Sequence, residues 1–378
     1  MLVVFFSEVI EVIYLDNSAT TKPKKEVLDS FVKANELYYA NPASLHRMGN
    51  EAEDLLEGAR RQISGLLNMN NIIFTSGGTE SNNLALFGVA HSYRHRGQHI
   101  ITAATEHPSV LNSADALEQQ GFEITRLAVD RDGAIDLNEL KNTLRSDTIL
   151  VSLMHVNNEI GSVHPIAEIV SLLKNTRTFF HVDAVQSIGK LALDPAFMPD
   201  LLSLSSHKIN GLKGSGVLAF NDVELSPILY GGGQEAGLRS GTAAVPQAVA
   251  LAKALRMTEP NPDYAEWNRD LREYFKKFSG VKIVSPKTAA PHILAVAVKG
   301  IKGEILVSGL QDESIIISTS SACSSKSKET SHVIEAIGLP REFKDGVMRI
   351  SFGAFNTADD ISQLKQAFER VYSLIKQN

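Results

Sequence analysis

The chain has 378 residues, 43% of them hydrophobic and 21% charged, with a formal net charge of -6. Such values describe an ordinary globular protein with room for more than one core, and they exclude nucleic-acid binding by bulk positive charge. A single cysteine, Cys323, excludes an internal disulfide framework and any multi-cysteine zinc or iron–sulfur site within one chain.

The first twelve residues begin apolar but lack a basic start and a small-residue cleavage site. They read as a leading strand or arm, or as an over-long start, and not as a signal peptide. No window is long and apolar enough to span a bilayer, so no membrane role and a cytoplasmic location are expected. From residue 70 onward, short apolar runs alternate with amphipathic stretches. The spacing predicts strands over 72–75, 99–103, 123–127, 148–154, 178–182, 201–205 and 217–220. Helices are predicted over 80–91, 108–120, 138–144 and 165–174. This alternation implies an α/β fold with a mainly parallel sheet. An apolar-periodic stretch over 245–257 stops at Glu259-Pro260-Asn261-Pro262-Asp263, which resembles a domain break. Beyond it come a helix, a strand over 293–298, a helix over 303–311 and a strand over 315–318. A loop, a helix, a strand over 347–351 and a helix over 358–375 follow. The expected division is a large domain over 15–258 and a small α+β domain of 1–14 with 259–378.

Several predicted strands end in residues suited to chemistry. The 72–75 strand runs into Gly77-Gly78-Thr79 and then a helix. Glycines permit close backbone approach, and the first helical N–H groups suit a phosphate; the plain alternative is a capped turn. The 99–103 strand leads to Glu106-His107-Pro108, where His107 can lie on an aromatic ring and move protons, or serve only as a surface residue. After 148–154 stands His155-Val156-Asn157-Asn158, able to bind a ring hydroxyl or a carboxylate, or to form an Asx turn. The 178–182 strand leads to Asp183 and Gln186, and the 201–205 strand to Ser205, His207 and Lys208. An acid that holds a pyridine nitrogen protonated and a lysine that forms a Schiff base are what a pyridoxal phosphate site needs.

Other segments are less specific. Gly231–Glu235 and Leu238–Thr242 read as a polar, flexible loop that closes over a phosphate, crosses a subunit boundary or is merely solvated. Gly214-Ser215-Gly216 matches a loose dinucleotide fingerprint but leads into a strand, so that reading fails. His91, His95 and His99 read as a solvated helix end, with a metal site the alternative. Cys323 lies in the serine-dense run 318–328, where Lys326 and Lys328 favour its thiolate; the alternative is an accidental surface thiol.

Taken together, from Tyr14-Leu15-Asp16-Asn17-Ser18-Ala19-Thr20-Thr21 to Arg349-Ile350-Ser351-Phe352-Gly353, these segments resemble the NifS/IscS-type cysteine desulfurases of the class-V aminotransferase family. The resemblance covers nearly the whole chain. It implies the fold-type I pyridoxal 5'-phosphate transferase fold and a homodimer with sites at the interface. It implies that Lys208 carries the cofactor, Asp183 meets the pyridine nitrogen, Gln186 reaches the ring hydroxyl and His107 stacks on the ring. Gly78, Thr79, Ser205 and His207 would hold the phosphate, with Thr242 arriving from the second subunit. Asn158 would serve cofactor and substrate, and Asn41 and Arg349 would bind the L-cysteine carboxylate, a task suited to arginine's planar fork. Cys323 would take the substrate sulfur as a persulfide and present it, on a mobile loop, to an acceptor protein.

Some positions depart from the family pattern. Ser206 stands where glycine is common, Ala236 replaces a frequent arginine, and Asn210 and Leu212 alter the residues after the lysine. The chain ends soon after its last predicted helix, at Asn378, whereas some relatives carry a longer tail that docks an iron–sulfur scaffold. The acceptor is therefore left open between such a scaffold and a tRNA-thiolation enzyme. Selenocysteine lyase activity, another pyridoxal phosphate aminotransferase or lyase, and an inert binding partner are the competing readings.

Overall fold

The computed structural model describes residues 12–192, 196–320 and 330–377. The chain divides into two compact units. Among the described residues, one takes those up to Ala19, Glu159–Gly161 and those from Pro262 on; the other takes those within Thr20–Asn158 and Ser162–Asn261. The expected division had placed 159–161 in the large domain. Instead, the Gly161 carbonyl accepts from the Ala290 N–H at 2.7 Å and the Glu159 carboxylate accepts from Ser331 Oγ at 2.6 Å, which ties this short segment to the C-terminal unit.

Strand β1 (Ile13–Tyr14) belongs to the smaller unit. The larger unit then begins with α1 (Lys25–Leu37) and α2 (Arg47–Leu67), two helices ahead of the region where the periodicity was legible. In α2 the buried positions Gly49, Ala52, Leu56, Ala59 and Ile63 recur every three or four residues, so one stripe faces the core. His46 caps its start, and Asn68 ends it in the left-handed region at φ 53°. There follow β2 (Asn71–Thr75), α3 (Gly78–Tyr93), β3 (His99–Ala103), α4 (Pro108–Gln119) and β4 (Glu123–Leu127). Next come α5 (Leu137–Thr143), β5 (Thr148–Met154), α6 (Ile166–Leu173), β6 (Phe179–Asp183), β7 (Leu201–Ser205), β8 (Gly216–Phe220) and α7 (Val245–Arg256).

These seven strands form one sheet in the order β2-β8-β7-β6-β5-β3-β4. Only β8 runs against the others. The strand β5 feeds two separate cores: Val151 and Leu153 join one, Ile149 and Leu150 the other, the alternation being broken where the β3–β5 register shifts. A sheet covered on both faces needs apolar residues at nearly every position, which is why β5 reads as Thr-Ile-Leu-Val-Ser-Leu-Met and is buried throughout.

The smaller unit continues with α8 (Asp263–Phe275), β9 (Val281–Ile283), β10 (Ile293–Val298), α9 (Gly303–Asp312), β11 (Ile315–Ile316) and β12 (Ser318–Thr319). It closes with α10 (His332–Ala336), α11 (Arg341–Lys344), β13 (Val347–Ser351) and α12 (Ala358–Gln377). Its antiparallel sheet runs β12-β13-β10-β9, and β1 pairs separately with β11. The single strand expected over 315–318 is thus two, because β11 and β12 join different sheets. The core gathers Leu294, Val296 and Ile350 with the rings of Trp267, Phe275, Phe352 and Phe368.

Candidate active site

In the larger unit, β2, β3, β5, β6 and β7 all point the same way, so their C-terminal ends share one edge of the sheet. Ligands of open α/β sheets bind outside that edge. The turns leaving it carry Gly77–Thr79, His107, Asn157–Asn158, Asp183–Lys190 and Ser205–Lys208. Residues up to about 130 positions apart in sequence therefore meet because their strands are neighbours.

Asp183 ends β6 and is buried. Its Oδ1 accepts from the Val185 N–H at 3.0 Å and its Oδ2 from Asn82 Nδ2 at 2.8 Å. The same Asn82 Nδ2 donates to Ser109 Oγ at 2.9 Å, and Ser109 Oγ lies 2.8 Å from His107 Nδ1. His107 also caps α4, with Nδ1 accepting from the Ser109 N–H at 3.1 Å. Asn82 and Ser109 were missed by the sequence reading. Neither stands in a motif that marks it, since their significance comes from a contact spanning 101 residues.

The glycine turn is built tightly. Gly77 has φ 152°, which side-chain-bearing residues rarely adopt. A Cβ on Gly78 would lie 2.8 Å from Val185 Cγ2, and the atom nearest a Cβ on Gly77 would be Ser205 Oγ. Gly77 is the N-cap of α3 and no side chain caps that helix, so Thr79 is not its cap and lies exposed in the first turn. A solvent-open cavity of ≈ 350 Å³ is lined by Thr79, Asn83, Phe87, His107 and Asn112.

Lys208 closes a 3-10 turn, Ser206–Lys208, immediately after β7, and is half-buried. Ser206 is accommodated because Gly211 faces it: a Cβ there would fall 2.1 Å from Ser206 Oγ. His207 is fixed by Thr20 Oγ1 at 3.1 Å and through its carbonyl by Thr21. Burial, then the charges of Lys208, Lys190 and Lys213, push the His207 imidazole down to about 4. It is neutral at physiological pH amid three cations, surroundings that favour an anionic ligand. Gln186 is buried, and its Oε1 accepts from Lys190 Nζ at 2.9 Å. A lysine only donates, so the amide's NH₂ group is the end that can serve an acceptor elsewhere.

Asn157 is buried and ties the β5 turn to the β3 turn by donating to the Thr105 carbonyl at 3.0 Å; Asn158 beside it is half-buried. Asn41 is exposed, its Oδ1 accepting from the Ala43 N–H at 3.0 Å. Thr242 is exposed as well.

Two expectations fail here. The 231–242 loop is not a loose connection. Glu235 sits with a side chain 4% exposed, accepts both arms of the Arg60 guanidinium at 2.8 and 2.9 Å, and also accepts the Phe74 N–H. Arg239 pairs with Glu80 at 2.8 Å. Nor is His99 part of a solvated helix end. It opens β3, fully buried, between Thr148 Oγ1 and Thr125 Oγ1. Among the described residues no group of histidine, cysteine or acidic side chains could hold a metal ion.

In the smaller unit, Arg349 on β13 is buried and pairs with Asp16 at 2.7 Å. Burial, then the Asp16 charge, raises the neighbouring Tyr14 phenol to about 12. Cys323 lies outside the described residues.

Comparison with known proteins gives the chain's family. The model of the family "Aminotransferase class-V" matches residues 13–364. A NifS/IcsS protein homolog of Lactobacillus delbrueckii subsp. bulgaricus is 43% identical, over 95% of this chain and 97% of its own length. A cysteine desulfurase IscS of Proteus mirabilis is 42% identical, over 96% and 92%. Among solved structures, a NifS-like protein superposes with a TM-score of 0.89 at 33% identity, over 96% of this chain and all of its own. A structure titled "SspA in complex with cysteine" follows at 0.81 and 33%, over 91% and 100%. With the acid and the lysine on adjoining strand ends and this likeness running through both units, the chain belongs to the class-V aminotransferase family, in its NifS/IscS cysteine desulfurase group.

Proposed function

We propose that this chain is a pyridoxal phosphate-dependent cysteine desulfurase that converts L-cysteine to L-alanine and hands the sulfur to an acceptor protein. The observation that carries the reading is the pairing of Asp183 with Lys208 on neighbouring strand ends, beside the Gly77–Gly78 turn at the start of α3.

The residues present fit the family's cofactor. Asp183 supplies a buried carboxylate for a pyridinium, Lys208 a primary amine, and the glycine turn with Ser205 and neutral His207 a cradle for a phosphate. Asn82 Oδ1 is buried with no hydrogen-bond partner among the described residues, in keeping with a pocket shaped around a further group. When bound, the cofactor supplies an electron sink next to the substrate's Cα. Gly78, Thr79 and Thr242 complete the phosphate cradle, with Thr242 supplied by the partner of a homodimer. Gln186 offers a donor to the ring oxygen, and His107 lies against the ring.

Arg349, Asn41 and Asn158 orient the L-cysteine carboxylate. The Lys208 amine takes the Cα proton. The Cys323 thiolate then attacks the substrate sulfur. The S–S bond forms as the substrate's C–S bond breaks, its electron pair stays with carbon, and one proton delivered to Cβ and one returned to Cα by Lys208 leave alanine. The persulfide passes to a scaffold of iron–sulfur assembly or to a tRNA-thiolation enzyme in the cytoplasm. Among the described residues no helix is long and apolar enough to cross a membrane.

The test is direct. The purified protein is loaded with cofactor and incubated with L-cysteine, and alanine and the mass of the Cys323 peptide are measured. Alanine plus one added sulfur on Cys323, both absent from Cys323→Ala, are expected. Cofactor uptake without persulfide would overturn the assignment.

A further inference from the structure

We propose that Asn82 and Ser109 are positioning residues that lock His107 in its Nε2–H tautomer and tie it to Asp183. The functional part of the inference rests on the reading above.

The available protons fix the tautomer. Asp183 carries acceptors only when ionised, so the Asn82 atom 2.8 Å from its Oδ2 is the NH₂ nitrogen; the carboxylate removes the usual ambiguity of an amide. That nitrogen spends its second hydrogen on Ser109 Oγ at 2.9 Å. Ser109 Oγ is thereby an acceptor from Asn82, and its own hydrogen is available to His107 Nδ1 at 2.8 Å. Independently, the Ser109 N–H can only donate, and it points at the same Nδ1 from 3.1 Å. Two donors converge on Nδ1, which must therefore present its lone pair. In the neutral ring the hydrogen then sits on Nε2.

Burial keeps the order fixed. Asn82 is 1% exposed, Ser109 8% and Asp183 6%, so water does not compete for these bonds. Protonating Nδ1 would set an N–H against the Ser109 N–H and remove the cap of α4. His107 can therefore give a hydrogen at Nε2 but has no lone pair there to receive one. The division of labour that follows is His107 as a hydrogen-bond donor at Nε2, and Lys208 as the base. Asn82 is the hinge of this arrangement, since one amide nitrogen orients the Asp183 carboxylate directly and the His107 imidazole through Ser109.

The first measurement uses the cofactor-free full chain labelled with [¹⁵N]histidine, with His107→Gln to assign the signals. A protonated-type shift at Nε2 and an unprotonated-type shift at Nδ1 of His107 are expected near neutral pH. The reverse pattern overturns the proposal. The second is a double-mutant cycle on cofactor affinity, read by absorbance, with Asn82→Ala, His107→Gln and the pair. Asn82→Ala is expected to weaken affinity about tenfold, and the pair to lose at least about fivefold less than the product of the single losses. Strict multiplicativity overturns the coupling. Thermal melts of each variant separate misfolding from lost positioning, and Ser109→Thr, which keeps the hydroxyl, should restore what Ser109→Val loses. If the wild-type chain takes up no cofactor, the proposed function fails while the tautomer assignment still stands or falls on the first measurement.

Discussion

Two regions of the larger unit are held in place by different means. The turns at 183–190 and 205–208 are aimed by the sheet: β6 and β7 pair in register, Asp183 opposite Ser203, and the polar residues follow within a few positions of the last ladder bond. The loop at 231–242 has no strand to aim it. It is fixed by the Arg60–Glu235 and Arg239–Glu80 ion pairs, and it runs through the left-handed region at Glu235 (φ 49°) and Ala236 (φ 55°), which non-glycine residues adopt only when something else pays for it. The first region is expected to keep its shape when a side chain such as that of Lys208 is lost, and the second to lose its shape with its ion pairs.

The largest expected effect sharpens this contrast. Lys208→Ala should cut alanine formation by roughly 10²–10⁴-fold or more while the melting temperature of the unloaded protein barely moves, because the turn is set by backbone pairing. A large drop in the unloaded protein's melting temperature would break the comparison.

Next comes the clamp. Arg60→Met leaves the Glu235 carboxylate buried without its bidentate partner. Arg60 keeps 21% side-chain exposure, so the usual cost of breaking a buried pair is discounted to about 2–4 kcal/mol. A scanning calorimeter should record a loss of roughly 5–12 °C. A melting temperature equal to wild type would show that the loop is held by something other than this pair.

A smaller effect concerns the buried imidazoles that support the strand-end region. His155 and His164 are pushed down to about 4 and His181 to about 3, in each case by burial first. An unfolded histidine binds its proton near 6.5, so between there and about 4 the unfolded state holds more protons. The stability these groups contribute is complete above about 6.5 and falls as the pH drops toward 4. Glu106 and Glu159, both raised by burial, work in the opposite direction. Single substitution isolates one term: His164→Leu should lose less melting temperature between pH 7 and pH 5 than the wild type. An identical acid limb in both proteins would remove His164 from the account.

The smallest effect lies at the surface. The Lys25–Asp29 pair spans one exposed turn of α1, and Lys25→Ala should leave the melting curve unchanged within error. A shift as large as that of Arg60→Met would dissolve the distinction between clamp and decoration.

The sequence by itself determined the alternation of strands and helices and the residues at the strand ends. Both are local: a doubly covered strand such as β5 must be apolar at successive positions, and the residue that ends it meets solvent or ligand. Asp183, Lys208, His107 and Gly77–Gly78 were therefore legible as short motifs beside apolar runs. Only the tertiary structure decided that Asn82 grips Asp183 across 101 residues, that Arg60 reaches Glu235 across 175, and that His99 is buried between two threonines. It also decided that 315–319 splits between two sheets. The physical reason is the same in each case. A side chain's periodicity reports the face it occupies, whereas its partner depends on which elements the sheet order brings together, and no local pattern encodes that order.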